Sequence, residues 1–181
     1  MRHIAVLCGL VLVGGLLGPS TAFAADQGAQ HDKNQAEWIA VEDQFTVVLP
    51  DGQTFTGDNQ GPMNPNEAPP VGTQLFISEK LYETQDGVTK GDEVGRSDIQ
   101  CTEQAVKLMF RCDGALLFDD GSQLLASVVL DVGNQPNSFD IAVIGGTGDW
   151  FGATGALTDT DISTANETAA LYEADVVLPH N

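Results

Sequence analysis

The chain has 181 residues and sets 26 acidic side chains against 7 basic ones, a formal charge of −19 at neutral pH. Such a surface repels phosphate backbones and anionic lipid, which sets aside nucleic acid and membrane surfaces as partners and favours solubility. The length fits one domain with a core of its own, without need of a metal or dense disulfides.

Met1-Arg2-His3 supplies a short positive start, Ile4 to Leu17 is apolar or glycine, and Ala22-Phe23-Ala24 puts small residues where a signal peptidase reads them. Residues 1–24 are therefore expected to be a secretory signal cut before Ala25, and the protein to be secreted. The apolar run of about 14 residues is short of the roughly 20 that a spanning helix needs. Cys8 lies inside that run and no cysteine stands at the cut, which argues against a lipoprotein. No membrane attachment is expected after cleavage.

Residues 25–37 are polar and read as a flexible N-terminal segment, with the folded domain over 38–181. Trp38–Leu49 is a first β-like run, stopped by Pro50-Asp51-Gly52. Residues 57–72 hold four prolines and read as a long loop. Short strands with turn residues between them follow: Thr73–Glu83, Glu93–Thr102, Lys107–Phe118, Ser122–Val132, Phe139–Ile144, Ala153–Ile162 and Thr168–Leu178. Thr164–Tyr172 is the one stretch that also reads as helix. Strands joined by short turns run antiparallel, and eight of them in one domain predict an all-β fold closed as an antiparallel barrel, which removes exposed edges.

After signal cleavage two cysteines remain, Cys101 and Cys112, on neighbouring predicted strands. In an oxidising compartment such a pair is expected to form a disulfide. No metal is expected: His31 and His180 lie near the two ends, and the Asp-x-Asp-x-Asp-Gly spacing of a calcium loop is absent. In 124–132 one face shows Leu124, Ala126, Val128, Leu130 and Val132 while the other still carries Leu125 and Val129, and 139–144 is apolar on both faces too. A half-exposed antiparallel strand alternates apolar and polar residues, so two apolar faces predict an exterior covered by another subunit, in a dimer or trimer.

Ile141-Ala-Val-Ile-Gly-Gly-Thr-Gly148 looks like the strand and glycine turn of a dinucleotide-binding fold. The third glycine is misplaced, no helix pattern follows, and only 26 residues remain after Gly155, too few to complete a doubly wound sheet. The same segment, taken with Val71–Tyr82, Val94–Thr102 and Phe118–Ala126 in this order, resembles the dirigent and allene oxide cyclase family over roughly residues 71–178. The resemblance implies an eight-stranded antiparallel barrel, commonly trimeric, with an apolar cavity and no cofactor. It also implies control of a reactive apolar small molecule by positioning in a dry pocket. Asp149 matches an acid of the lignan-forming dirigent members and is the first catalytic candidate, and Asp43 is a weaker one. Gly145, Gly146, Gly148, Gly152 and Gly155 are expected to serve tight bends and barrel corners.

Two departures bear on the chemistry. Ala153-Thr154-Gly155 stands where dirigent members usually have Ala-Arg-Gly, and only Glu42-Asp43 lies where plant members carry a histidine–aspartate pair. Glu79, Glu83, Asp98 and Glu103 are strand acids, but no aromatic platform suits them to sugar hydrolysis. Ser78, Ser97 and Ser127 have no histidine beside them for a serine triad, and Phe76, Tyr82 and Tyr172 read as core or rim aromatics. Two functions follow as expectations: a cofactor-free cyclase, isomerase or dirigent-type stereocontrol protein, or a non-catalytic extracellular carrier of apolar ligands.

Overall fold

The computed structural model describes residues 32–57, 69–134 and 136–179, with side chains from Gln35 onward. The expected signal segment, residues 25–31 and most of the proline-rich loop lie outside the described residues. Nine strands form one sheet: β1 (Asp32–Val48), β2 (Thr54–Thr56), β3 (Gln74–Glu83), β4 (Glu93–Glu103), β5 (Met109–Phe118), β6 (Gln123–Asp131), β7 (Ser138–Thr147), β8 (Thr154–Asp161) and β9 (Ala169–Leu178). Each strand from β3 to β9 pairs antiparallel with its neighbour in sequence, β1 pairs with β3, and β9 returns to β1, closing an eight-stranded barrel. The short β2 lies outside this ring, on the distal half of β1.

Two details differ from the reading by sequence, and a third resolves an ambiguity in favour of the strand expected there. Residues 32–37, expected to be flexible, are strand, because the free edge of β9 needs partners and Asp32–Glu37 faces Leu178–Glu173. Gly145 and Gly146 lie inside β7 rather than in a turn, and a single 3-10 turn, Gly148–Trp150, follows. The ambiguous Thr164–Tyr172 stretch is strand from Ala169, paired with β8 and β1. Sheet closure decides these cases, since unpaired backbone groups inside a barrel wall would be stranded without water. β7 and β8 are antiparallel neighbours, so the glycine-rich run is a barrel corner and not a nucleotide loop.

The interior is filled from its two ends. One cluster holds Trp38, Leu81, Leu116, Leu124, Leu157 and Val176; the other is built on Phe110 and the Cys101–Cys112 disulfide. The two cysteines are directly opposed across β4 and β5, both buried at 5% exposure. Closing so short a loop restricts the unfolded chain by about 2–3 kcal/mol. Replacing both with serine is therefore expected to lower the melting temperature by roughly 5–10 °C, measurable by scanning calorimetry against the wild type.

Outside, the apolar face foreseen on β6 and β7 is present. Val129 is 58% and Ile144 60% exposed.

Candidate functional site

Strand alternation decides what enters the lumen. On β3 the inward positions are Leu75, Ile77, Glu79 and Leu81, so a carboxylate takes a place its neighbours give to aliphatic side chains. On β4 Ser97 is fully buried and lies opposite Glu79; on β9 Tyr172, 2% exposed, lies opposite Asp159 of β8. Glu42 of β1 lies opposite Glu79 on its other side. Five adjacent strands thus bring Ser97, Glu79, Glu42, Tyr172 and Asp159 to one zone of the barrel.

The hydrogen bonds converge on one atom. The Tyr172 hydroxyl donates to Glu79 Oε2 at 2.8 Å, and the Ser97 hydroxyl donates to the same oxygen. Burial raises the Glu79 pKa; the two hydroxyl donors oppose that shift, and the nearby charge of Glu42 adds to it. Tyr172 is held well above the ordinary phenol range by burial and by the charges of Glu79 and Asp159, so it stays protonated. Asp159 is pushed from 3.8 to about 7, by burial first and then by the charges of Glu79 and Asp161. Glu42 is more exposed, yet partial desolvation moves it upward too. A carboxyl that titrates near neutrality and a buried phenol held beside a second carboxylate form the kind of pair that exchanges protons.

Two spaces adjoin this group. A small apolar cavity of about 40 Å³ is walled by Ile99, Leu116, Ala126, Ile141, Leu157 and the Tyr172 ring. A cleft of about 280 Å³ opens between Pro136, Asn137, Phe139, Asp159 and Asp161. Asp159 lines the cleft and its cross-strand partner Tyr172 lines the cavity. The opposite end is filled by Trp38, Phe118 and Trp150, whose ring centroids are 5.2 to 5.9 Å apart.

The candidates named from sequence fall in different places. Asp149 is exposed on the 3-10 turn, beside Trp150 at the aromatic end, in the rim of a cleft of about 390 Å³. Asp43 is the exposed extra residue at the β1 bulge, where the register steps from Glu42 to Gln44. Thr154, in the position of the family's arginine, is exposed on the outer face. Ser78 and Ser127 donate to the outward aspartates Asp98 and Asp113.

Glu103 is buried at the far end, where one carboxylate oxygen accepts the Leu108 N–H at 2.9 Å and holds the β4–β5 turn. Of the five glycines, Gly146, Gly148, Gly152 and Gly155 would each bring an added Cβ within 3 Å of another atom, whereas Gly145 faces open space. Among the described residues no three His, Cys, Asp or Glu side chains are placed to hold a metal ion.

Along the sequence, Glu79, Ser97 and Tyr172 have no partner near one another that marks them as a site. The signal that finds them is an acid interrupting an apolar alternation, as in Leu75-x-Ile77-x-Glu79-x-Leu81.

No protein-family model matches the sequence, and no curated protein matches it. Solved structures do. An exo-specific intermolecular Diels–Alderase aligns with a TM-score of 0.59 at 13% identity, over 82% of this chain and 98% of its own. A pterocarpan synthase dirigent protein aligns at 0.53 and 16%, over 92% and 98%. Pyocyanin demethylase aligns at 0.52 and 21%, over 78% and 100%. The chain therefore has the antiparallel barrel fold of dirigent proteins and of this Diels–Alderase, as its strand closure had already indicated.

Proposed function

We propose that the protein is an exported barrel that binds a small apolar molecule in its lumen and moves a proton there, as a cofactor-independent cyclase or isomerase. One observation carries this reading: the Glu79 carboxylate, fixed by Tyr172 and Ser97, lies in the same lumen as Asp159, whose pKa of about 7 lets it act as acid or base at neutral pH. Asp159 takes a proton from one atom of the bound molecule and returns it to another, so the net change is an isomerisation. Tyr172 and Glu79 orient the ligand and hold the charge that develops. Apolar walls keep water away from the reacting atoms. The reading is supported by the range of chemistry named for proteins of this fold, a Diels–Alderase and a pterocarpan synthase among them. It moves the proton transfer from Asp149, on the rim, to the lumen.

Export rests on the sequence of residues 1–24 and is in keeping with the Cys101–Cys112 disulfide, which suits an oxidising compartment. Assembly as a homodimer or homotrimer through the Val129 and Ile144 face is part of the same proposal. Light scattering at micromolar concentration checks it, and a monomeric mass would refute it.

A second reading, a carrier that binds without turnover, is favoured by the exposed Thr154 in place of the arginine. Native mass spectrometry of the purified protein identifies a co-purifying apolar ligand, and that ligand serves as test substrate. Asp159→Asn and Tyr172→Phe are each expected to lower turnover by about 100-fold or more, with Asp149→Asn near wild type. Ligand bound without conversion by the wild type would establish the carrier. Turnover surviving in both lumen variants would remove the proton-transfer role.

A further inference from the structure

We infer that Trp150 is a displaceable plug: a ligand reaches the lumen from the aromatic end by moving this indole, and takes up the space it leaves. This rests on the lumen being the ligand site, and it names a residue that decides which ligands are admitted.

The lumen cavity holds about 40 Å³, whereas a benzene-sized ligand takes a cavity of about 150 Å³. No ring fits while the barrel is packed in this way. Binding therefore requires that some side chain leave the interior.

At one end a single layer of rings stands between that cavity and a larger space. Tyr172, in the cavity wall, lies directly opposite Trp38 across β1 and β9. Leu116, also in the wall, is followed on the same face of β5 by Phe118. Trp150 packs on both, its ring centroid 5.8 Å from that of Trp38 and 5.9 Å from that of Phe118. The same three residues line the cleft of about 390 Å³.

The three rings are not held alike. Trp38 is 6% exposed, on a strand paired along both edges. Phe118 ends β5, opposite Gly95, and its N–H donates to the Ser122 carbonyl. Trp150 is half-buried, on a 3-10 turn none of whose residues is buried and which joins no strand. Gly148 and Gly152, at φ +60° and +71°, bound that turn. Its backbone is braced by the Phe151 N–H on the Gly148 carbonyl and the Ala153 N–H on the Trp150 carbonyl, and neither bond involves the indole. The far end of the lumen is built on the buried Phe110 and on the Cys101–Cys112 disulfide, which staples β4 to β5. Moving the indole costs two ring contacts and no strand pairing. The vacated space continues the cavity into the cleft and gives a ligand the faces of Trp38 and Phe118 to rest on.

The neutral probe N-phenyl-1-naphthylamine, whose emission rises in apolar surroundings, tests this by stopped-flow on the purified full-length protein. In the wild type the observed rate should level off at high probe concentration, because displacement of the indole precedes binding. Trp150→Ala should bind at least about tenfold faster and lose the plateau. Phe139→Ala, which widens the cleft at the Asp159 end, should behave as the wild type. All variants are first shown by circular dichroism to be folded. Should Trp150→Ala not fold, Trp38→Phe leaves Trp150 as the chain's one tryptophan. Bound limonene, which does not absorb indole emission, should then make Trp150 severalfold more open to acrylamide quenching.

An unchanged rate in Trp150→Ala, acceleration in Phe139→Ala instead, or an indole no more open to acrylamide with limonene bound overturns the inference. Ala126→Val, which adds two methyl groups to the cavity wall, tells that failure from failure of the lumen reading. It should weaken probe binding at least about tenfold. Wild-type binding in Ala126→Val, or no binding by either the wild type or Trp150→Ala, overturns the lumen as the ligand site.

Discussion

Replacing Gly155 with alanine is expected to prevent the protein from accumulating in folded form. Gly155 is at φ +145°, outside the range L side chains adopt readily, and it faces the backbone of Asp175 and Val176 across the β8–β9 ladder. An added Cβ would fall 2.3 Å from the Asp175 carbonyl oxygen and 3.0 Å from Val176 Cα. Backbone held in a sheet ladder cannot yield as a side-chain tip can, so barrel closure would have to open locally. Overpacking of this kind together with the strained φ costs about 3 kcal/mol or more, against a total stability of roughly 5–15 kcal/mol for a domain. Gly145→Ala is the control. It lies upstream in the same glycine-rich stretch, and no atom comes within 4 Å of its added Cβ. It is expected to change stability by no more than about 0.5 kcal/mol. Soluble yield and urea melts of the two variants check this, and equal behaviour would contradict the geometry.

Asp159→Asn is expected to stabilise the protein at alkaline pH and to change little in acid. The folded pKa of about 7 lies above the unfolded value of 3.8. The folded state therefore holds the Asp159 proton more tightly than the unfolded chain does. Below about pH 3 both states are protonated and the residue is neutral in its effect. As pH rises the unfolded chain ionises first, stability falls, and the loss is complete once pH has passed the folded pKa. At about 1.4 kcal/mol per unit, the upper bound on this penalty at pH 8 is about 4 kcal/mol. Asparagine keeps the shape without the charge and should recover roughly half or more of that penalty. Urea denaturation at pH 8 and pH 4.5 checks it: a gain several-fold larger at the higher pH is the expected result, and a pH-independent effect would assign the change to packing. A residue kept at a cost to stability is what a working site leads one to expect.

Much of the fold could be read from the chain itself. Turn residues at short intervals between apolar runs marked the strands of the barrel, and the placement of Cys101 and Cys112 on adjoining strands foretold their pairing. What escaped was set by partners distant in sequence. Residues 32–37 are polar and look unstructured, yet β9 arrives some 140 positions later and needs that edge. β2 has three residues and carries no pattern strong enough to announce itself. The site was the least legible part. Glu79, Ser97 and Tyr172 are each ordinary in their own strands and separated by up to 93 positions, and only closure brings them onto one carboxylate oxygen. Asp149 lies in glycine-rich surroundings that resemble a motif, but those glycines shape a corner, and the corner leaves the aspartate exposed.

Alternation and turn chemistry act between near neighbours along the chain, so the all-β class, the antiparallel succession of the eight main strands and the pairing of the two cysteines are legible in it. So is the excess of acid over base. Where that excess lies depends on closure of the sheet. Once the sheet closes, residues of one parity on every strand face the lumen, so Glu79 and Asp159 share a low-dielectric interior while the described lysines and arginines remain outside or in loops. Inside, the carboxylates raise one another's pKa; on an open sheet, surrounded by water, the same residues would titrate as ordinary surface acids.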